Sequence, residues 1–353
     1  MLINIIFFVL ALSLIISIHE LGHLITAKMF GVYCYEYSIG MGPKIFSKKF
    51  KETIFSIRAI PFGGYVAMAG ENDDSAYRYD VGDIPHHRTL IGISKPKRVI
   101  IMLAGIFMNF ILAYVIIVGL IASNGIYYQN KAPIIEKVVE GMPAAKADFK
   151  TGDLIVGLKF NDGTNIDNPK TIMDVINYVS HKGGNVEFKI LRDGKIMKFN
   201  VDTIKKDGQF VIGIQFKKVE PTRVNLFNIW GFALDNINDL FRNMIIALTH
   251  LIRGIGLKDV SGPVGIYKIS ADAARQGFKT YFNLIAILSL NIGIMNALPI
   301  PALDGGRVLL VIVEAIIGKP LNKRLETFLI AGSMMVLLGL IALVTVGDII
   351  KLF

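Results

Sequence analysis

Four stretches of this chain are apolar over a length that could cross a bilayer, which needs about 20 predominantly apolar residues per helix. They run from Leu2 to about Phe30, Val99 to Ala122, Tyr281 to about Leu298, and Phe328 to Val346. In hydrocarbon every backbone polar group must find its partner inside the segment, so such stretches are confined to helices. Across 353 residues, 53% are hydrophobic and 19% charged, with a mean hydropathy of +0.52. That balance indicates a polytopic α-helical membrane protein of about four transmembrane helices and excludes an ordinary soluble enzyme. The first stretch has no basic head and no small-residue cleavage site behind it, so it is expected to remain as a helix rather than leave as a signal peptide.

Charge sets the expected topology. After Lys28 come Lys44, Lys48, Lys49, Lys51, Arg58, Arg88, Lys95, Lys97 and Arg98. Basic residues flanking spans favour the cytoplasm. This predicts an extracytoplasmic N-terminus, residues 31–98 inside and, with an even number of spans, an extracytoplasmic C-terminus. The net charge of +10 does not signal nucleic acid, because the lysines are scattered and form no basic stripe interleaved with aromatics. A single cysteine, Cys34, excludes an internal disulfide and a thiolate metal site, and reads as a buried or interfacial thiol.

The predicted organisation is a first transmembrane helix (1–31), a membrane-associated small β-sheet and loop (32–98), a second span (99–123), an α+β domain (132–218), an amphipathic interfacial helix (224–256), a third, broken span (279–318) and a fourth (325–350). In the first loop, YCYEYSIG, PKIFSKKF, ETIFSIRAI and GYVAM alternate apolar and polar residues between turn signals, which is the pattern of a small antiparallel sheet. Gly40-Met41-Gly42 reads as a turn, and residues 71–95 as a mobile loop in which His86 and His87 are solvated. The block GMPAAKADFKTGDLIVGLKFNDG resembles the core of a PDZ domain. That resemblance implies a site where an extended peptide adds to a sheet edge, and with it binding or gating of substrate; a plain spacer is the bland alternative. In VNLFNIWGFALDNINDLFRNMIIALTHLIRGIG, apolar residues recur at helical spacing from Leu226 and Trp230 to Leu251, with polar ones largely elsewhere, which suits a helix lying in the membrane interface; His250 near its end reads as structural.

The first apolar stretch ends in SIHELGHLITAK. His19-Glu20-Leu21-Gly22-His23 fits H-E-x-x-H. Positions i and i+4 share a helix face, so two imidazoles can bind one Zn2+ while Glu20 acts on a water. Ionisable groups at bilayer depth cost several kcal/mol unless paired or coordinated, and a divalent metal would serve all three. Catalytic zinc takes three protein ligands, so a third is needed. Far downstream, NIGIMNALPIPALDGGRVLLVIVEAI breaks an apolar helix with Pro299 and Pro301 and places Asp304 before Gly305 and Gly306. Irregular backbone at membrane depth survives only in a protein-lined or watery site. Asp304 is therefore a candidate ligand, against the alternative of a simple helix cap.

HELGH together with N-x-x-P-x-P-x-L-D-G, here Asn296 to Gly305, resembles the site-2 protease family of intramembrane zinc metalloproteases, in particular its bacterial regulator-of-sigma-factor branch. The likeness extends to PFGGYV (61–66), AGIFMNF (104–110) and SGPVGI (261–266) and covers most of the chain. It implies zinc on His19, His23 and Asp304, general acid/base work by Glu20, a substrate-binding role for Asn296, and a strand edge at Gly63, Gly64, Tyr65 and Val66 that holds substrate extended. It also implies a bacterial cytoplasmic membrane location and single-span membrane protein substrates, such as an anti-sigma factor or a remnant signal peptide. Two departures stand out: Ile106 where the family pattern has proline, and one PDZ-like block where some relatives have two. The rival readings are a non-catalytic adaptor that holds partner helices through the PDZ-like block, and a transporter, which would predict related halves that this sequence lacks.

Overall fold

The computed structural model describes residues 2–71, 83–128, 132–167, 169, 171–206, 208–216, 221–252 and 261–350. They fall into two compact units, residues 1–123 with 229–353, and residues 124–228.

Among the described residues, four helices are long and apolar enough to cross a membrane. They are α1 (Leu2–Met29), α2 (Lys95–Asn124), and, further along, Phe278–Asn296 and Lys323–Ile350. At 1.5 Å per residue even the 19-residue Phe278–Asn296 helix extends about 28 Å, close to the hydrocarbon thickness. On Lys323–Ile350, Met335, Val336 and Leu343 are 70% or more exposed. A surface that apolar suits lipid rather than water.

Between α1 and α2 lie two long antiparallel strands, β1 (Cys34–Phe50) and β2 (Thr53–Met68). Both bend, and the pairing gives four legs. Residues 36–39 lie between 54–57 on one side and 64–67 on the other, and 54–57 pair again with 46–49. The four alternating runs of the sequence are these legs. Gly40-Met41-Gly42 is not a turn between strands. It is a kink within β1, with Gly40 and Gly42 at φ +85° and +82°, a backbone that glycine adopts without strain. Inside the sheet Glu36 is fully buried and held by Ser56 (2.5 Å) and Arg58 (2.8 Å). Of the expected loop 71–95, residues 72–82 lie outside the described residues. Residues 83–94 are pinned rather than loose: the Tyr33 amide donates to Arg88 O, the Leu90 amide donates to Ala69 O, and Leu90 is buried.

The second unit contains β3 (Ile126–Tyr128), β4 (Ile135–Val138), α3 (Pro143–Lys146), β5 (Leu154–Phe160), β6 (Asn165–Asp167), α4 (Ile172–Lys182), β7 (Asn185–Arg192), β8 (Lys195–Asp202), β9 (Ile204–Lys206), β10 (Gln209–Val211), β11 (Ile214–Phe216) and β12 (Pro221–Arg223). Its main sheet is antiparallel in the order β6-β5-β7-β8, and β4 pairs with β11. Alternate residues Val186, Phe188 and Ile190 of β7 enter the core with Ile155 and Leu158 of β5, as a period of two requires. Thr171 and Asp174 close a reciprocal capping box that starts α4.

The first unit resumes with α5 (Ile229–Ile252), α6 (Pro263–Gln276), α7 (Phe278–Asn296), α8 (Asp304–Ile317) and α9 (Lys323–Ile350). α5 starts later than the expected helix 224–256, because Asn225 and Asn228 take backbone amides into a turn ahead of it, and Leu226 is left exposed. Residues 253–260 and the His250 side chain lie outside the described residues. α6 begins in the SGPVGI run and is tied to α9 by the Gly265 amide, which donates to buried Asp348 (2.8 Å).

The second unit carries a testable ion pair. Burial opposes ionisation of Asp153, yet two 2.7 Å hydrogen bonds from Arg192 and one from the Lys150 amide hold its carboxyl below the usual range. A lowered folded-state pKa stabilises fully above the unfolded value of about 4 and loses that contribution as pH falls through the folded value. Asp153→Asn should cost about 1–3 kcal/mol at neutral pH. Hydrogen exchange should show faster opening of β5 and β7 amides in the variant at pH 7, with the difference shrinking in acid.

Candidate metal centre

α1 carries His19 and His23 one turn apart, both buried. Asp304 reaches them from the other end of the chain. α7 stops at Asn296, residues 297–303 turn back through Pro299 and Pro301, and α8 starts at Asp304 itself, with Leu303 at the cap position. Asp304 is thus not the cap but the first helical residue, where the helix dipole favours a carboxylate. The turn closes tightly: a Cβ on Gly305 would lie 2.3 Å from Ala297 O, and one on Gly306 2.0 Å from Ile300 O. Only glycines allow it.

The three donor atoms converge. Asp304 Oδ2 stands 3.1 Å from His19 Nε2 and 3.4 Å from His23 Nε2, and the two Nε2 atoms are 3.3 Å apart. Donors about 2.0–2.1 Å from a tetrahedral zinc stand about 3.3–3.4 Å from one another, so this triangle fits the ion. Asp304 Oδ2 is also buried without a well-aligned hydrogen bond, which suits an atom whose lone pair serves a metal. Among the described residues this is the one group of three side chains that could hold a metal; His86 and His87 do not form one.

α2 supports the triangle with one stripe, Ile101, Gly105 and Asn109, spaced by four residues. Ile101 O lies 2.8 Å from His23 Nδ1 and can only accept, so Nδ1 carries the hydrogen and Nε2 keeps its lone pair. A Cβ on Gly105 would sit 2.4 Å from His23 Nε2, and one on Gly22 of α1 would sit 2.5 Å from Ala104 O. Small residues on both helices let the backbones approach. Asn109 is fully buried, with Nδ2 3.3 Å from His19 Nδ1. Neither Gly105 nor Asn109 was singled out in the sequence as part of the site. Their signal was a polar residue four positions beyond a glycine in an otherwise apolar span.

Glu20, His23 and Asp304 line a cavity of about 350 Å³, together with Tyr65 and Val66 of β2 and with Arg307, which pairs with Glu71. The leg 64–67 pairs with β1 on its inner side, and among the described residues no strand pairs with its outer side. Gly64 runs beside the glutamate: a Cβ there would be 3.6 Å from Glu20 Cγ. Gly63 and Gly64 are not lining residues, nor is Asn296, which is half-buried at the end of α7.

Residues 7–340 match the sequence profile of peptidase family M50. The chain belongs to that family, the site-2 protease family. The regulator of sigma-W protease RasP of Bacillus subtilis is 31% identical over 99% of both chains, and the zinc metalloprotease RasP of Bacillus licheniformis is 30% identical over 99% of both. A Clostridium perfringens protein whose name makes it a zinc metalloprotease candidate is 36% identical over 98% of both. This M50 member is accordingly a membrane-embedded zinc metalloprotease, with zinc as its cofactor.

Gly105→Ala should lower zinc content severalfold or more, because its Cβ must push His23 away. Gly119→Ala, on the same helix with nothing within 4 Å, should leave it unchanged. Metal analysis of the two purified proteins checks both.

Proposed function

We propose that this protease hydrolyses peptide bonds within transmembrane segments of single-span membrane proteins. The observation that carries the reading is the convergence of His19, His23 and Asp304 beside Glu20, with Glu20, His23 and Asp304 lining one cavity together with Tyr65 and Val66 of β2, among helices of span length. In this reading His19, His23 and Asp304 hold the zinc, which supplies Lewis acidity that activates water near neutral pH and polarises a carbonyl. Glu20 takes the proton from the attacking water and returns it to the departing amide nitrogen as the C–N bond breaks.

A helical substrate hides its peptide bonds, so it must be drawn out before attack. The outer edge of 64–67 offers backbone groups for an added strand, and it passes Glu20. Asn296 is the further residue proposed to contact substrate near the metal. Residues 132–218 are read as an extracytoplasmic PDZ domain that binds or gates substrates; a four-stranded antiparallel sheet with two helices supports that reading. The topology inferred from basic residues, with both termini outside a bacterial cytoplasmic membrane, puts 31–98 and the cavity's water supply on the cytoplasmic side. One relative is named for sigma-W regulation. A membrane-bound anti-sigma factor is the corresponding substrate class here, with a remnant signal peptide as the other.

Glu20→Gln should retain zinc and lose at least about 100-fold in cleavage of a single-span reporter substrate, whereas Asp304→Ala should lose zinc as well. Undiminished cleavage by Glu20→Gln would defeat the assignment.

The edge strand has its own test. Burial pushes the Cys34 thiol up to about 12, so an added cysteine is the reactive one. In Glu20→Gln, a Tyr65→Cys chain should cross-link through a short bis-maleimide to a cysteine beside the substrate's scissile bond, and Leu343→Cys should not. Equal yields from the two positions would remove the strand from the substrate path.

A further inference from the structure

The assignment of His19 as a ligand, on which this inference rests, sets a requirement on its other ring nitrogen. An imidazole that ligates through Nε2 must carry its hydrogen on Nδ1, and a buried N–H needs an acceptor. For His23 the acceptor is Ile101 O at 2.8 Å. For His19 no backbone carbonyl plays that part among the described hydrogen bonds. The group in reach of its Nδ1 is the side-chain amide of Asn109, 3.3 Å away.

That amide has an acceptor to give. Asn109 is completely buried, and its Oδ1 has no hydrogen-bond partner among the described residues. An unsatisfied buried carbonyl costs about 1–3 kcal/mol, and such a group needs a reason to be there. Nitrogen and oxygen of a primary amide are nearly isosteric, so a half-turn about its last bond sets Oδ1 where Nδ2 stands, against His19 Nδ1. The residue itself is well anchored. Its backbone carbonyl accepts from Ser289 Oγ on α7 at 2.8 Å, and Gly105, one turn earlier, lets α2 approach both imidazoles.

We propose that Asn109 is a positioning residue for the metal site: its side-chain carbonyl accepts the Nδ1 hydrogen of His19, fixing the tautomer and ring orientation that present Nε2 to zinc. One helix then serves both histidines with different groups, a backbone carbonyl for His23 and a side-chain carbonyl two turns further along for His19. The reason is geometric. The helix's own hydrogen bonds leave few carbonyls free to turn inward, and a side-chain amide supplies an acceptor without disturbing them.

The experiment measures Zn2+ affinity of the full-length, detergent-purified protein by competition with a chromophoric chelator, alongside the absorption spectrum of its Co2+-substituted form. Loss of an outer acceptor typically costs about 10–100-fold in metal affinity, so Asn109→Ala should weaken binding by that factor and shift the Co2+ bands. Asn109→Asp, whose carboxylate can only accept, should remain within a few-fold of wild type. Ser289→Ala disturbs the same packing without touching the imidazole and should bind Zn2+ normally. Wild-type affinity in Asn109→Ala overturns the proposal, as does a loss in Asn109→Asp equal to that in Asn109→Ala, or an equal loss in Ser289→Ala. His19→Ala separates the two levels. If it still binds Zn2+ like wild type, the ligand assignment itself fails; if it loses Zn2+ while Asn109→Ala does not, only the positioning role fails.

Discussion

Two imidazoles and two carboxylates in apolar helices are expensive unless they share a partner, and meeting that demand organises the membrane unit. His19 and His23 come from α1 and Asp304 from α8, so the site ties the beginning of the chain to its end. The tie requires α2 to approach α1 at Gly22 and Gly105, and it requires α8 to begin at the depth of the histidines rather than at a membrane surface. α8 is accordingly only 14 residues long. Its far end is held independently, by Arg98 against the buried carboxylate of Glu314 (2.8 Å) and by Lys95 against the Glu314 carbonyl (2.7 Å).

The same constraint accounts for the sheet. On the proposed reading, a substrate cut at membrane depth has to be held in an extended form, and extended backbone in an apolar layer needs hydrogen-bond partners. β1 and β2 bring a strand edge to the glutamate while satisfying their own inner edges. The buried Glu36–Ser56–Arg58 cluster joins adjacent legs of the sheet at a point where slippage would turn every side chain to the wrong face.

Much of the architecture was legible locally. Span-length helices follow from composition, and the four legs of the sheet from alternation. Local pattern failed where a partner distant in sequence decides. Gly40-Met41-Gly42 looks like a turn between strands, but non-local pairing on both sides of 36–39 makes it a kink in one strand. Residues 83–94 are polar and turn-rich, yet backbone bonds to residues 33 and 69 pin them, and no window around 83–94 contains those partners.

The candidate site divides in the same way. By itself the sequence determined that His19, Glu20 and His23 share a helix in an apolar layer, and that a carboxylate follows a broken helix far downstream, because helical spacing and the energetics of charge in lipid act locally. Only the tertiary structure decided that Asp304 closes a triangle of 3.1–3.4 Å with the two imidazoles. It alone set Ile101 and Asn109 behind the rings, where acceptor geometry depends on how closely two helices pack, and that closeness rests on Gly22 and Gly105 meeting across a contact no single segment encodes.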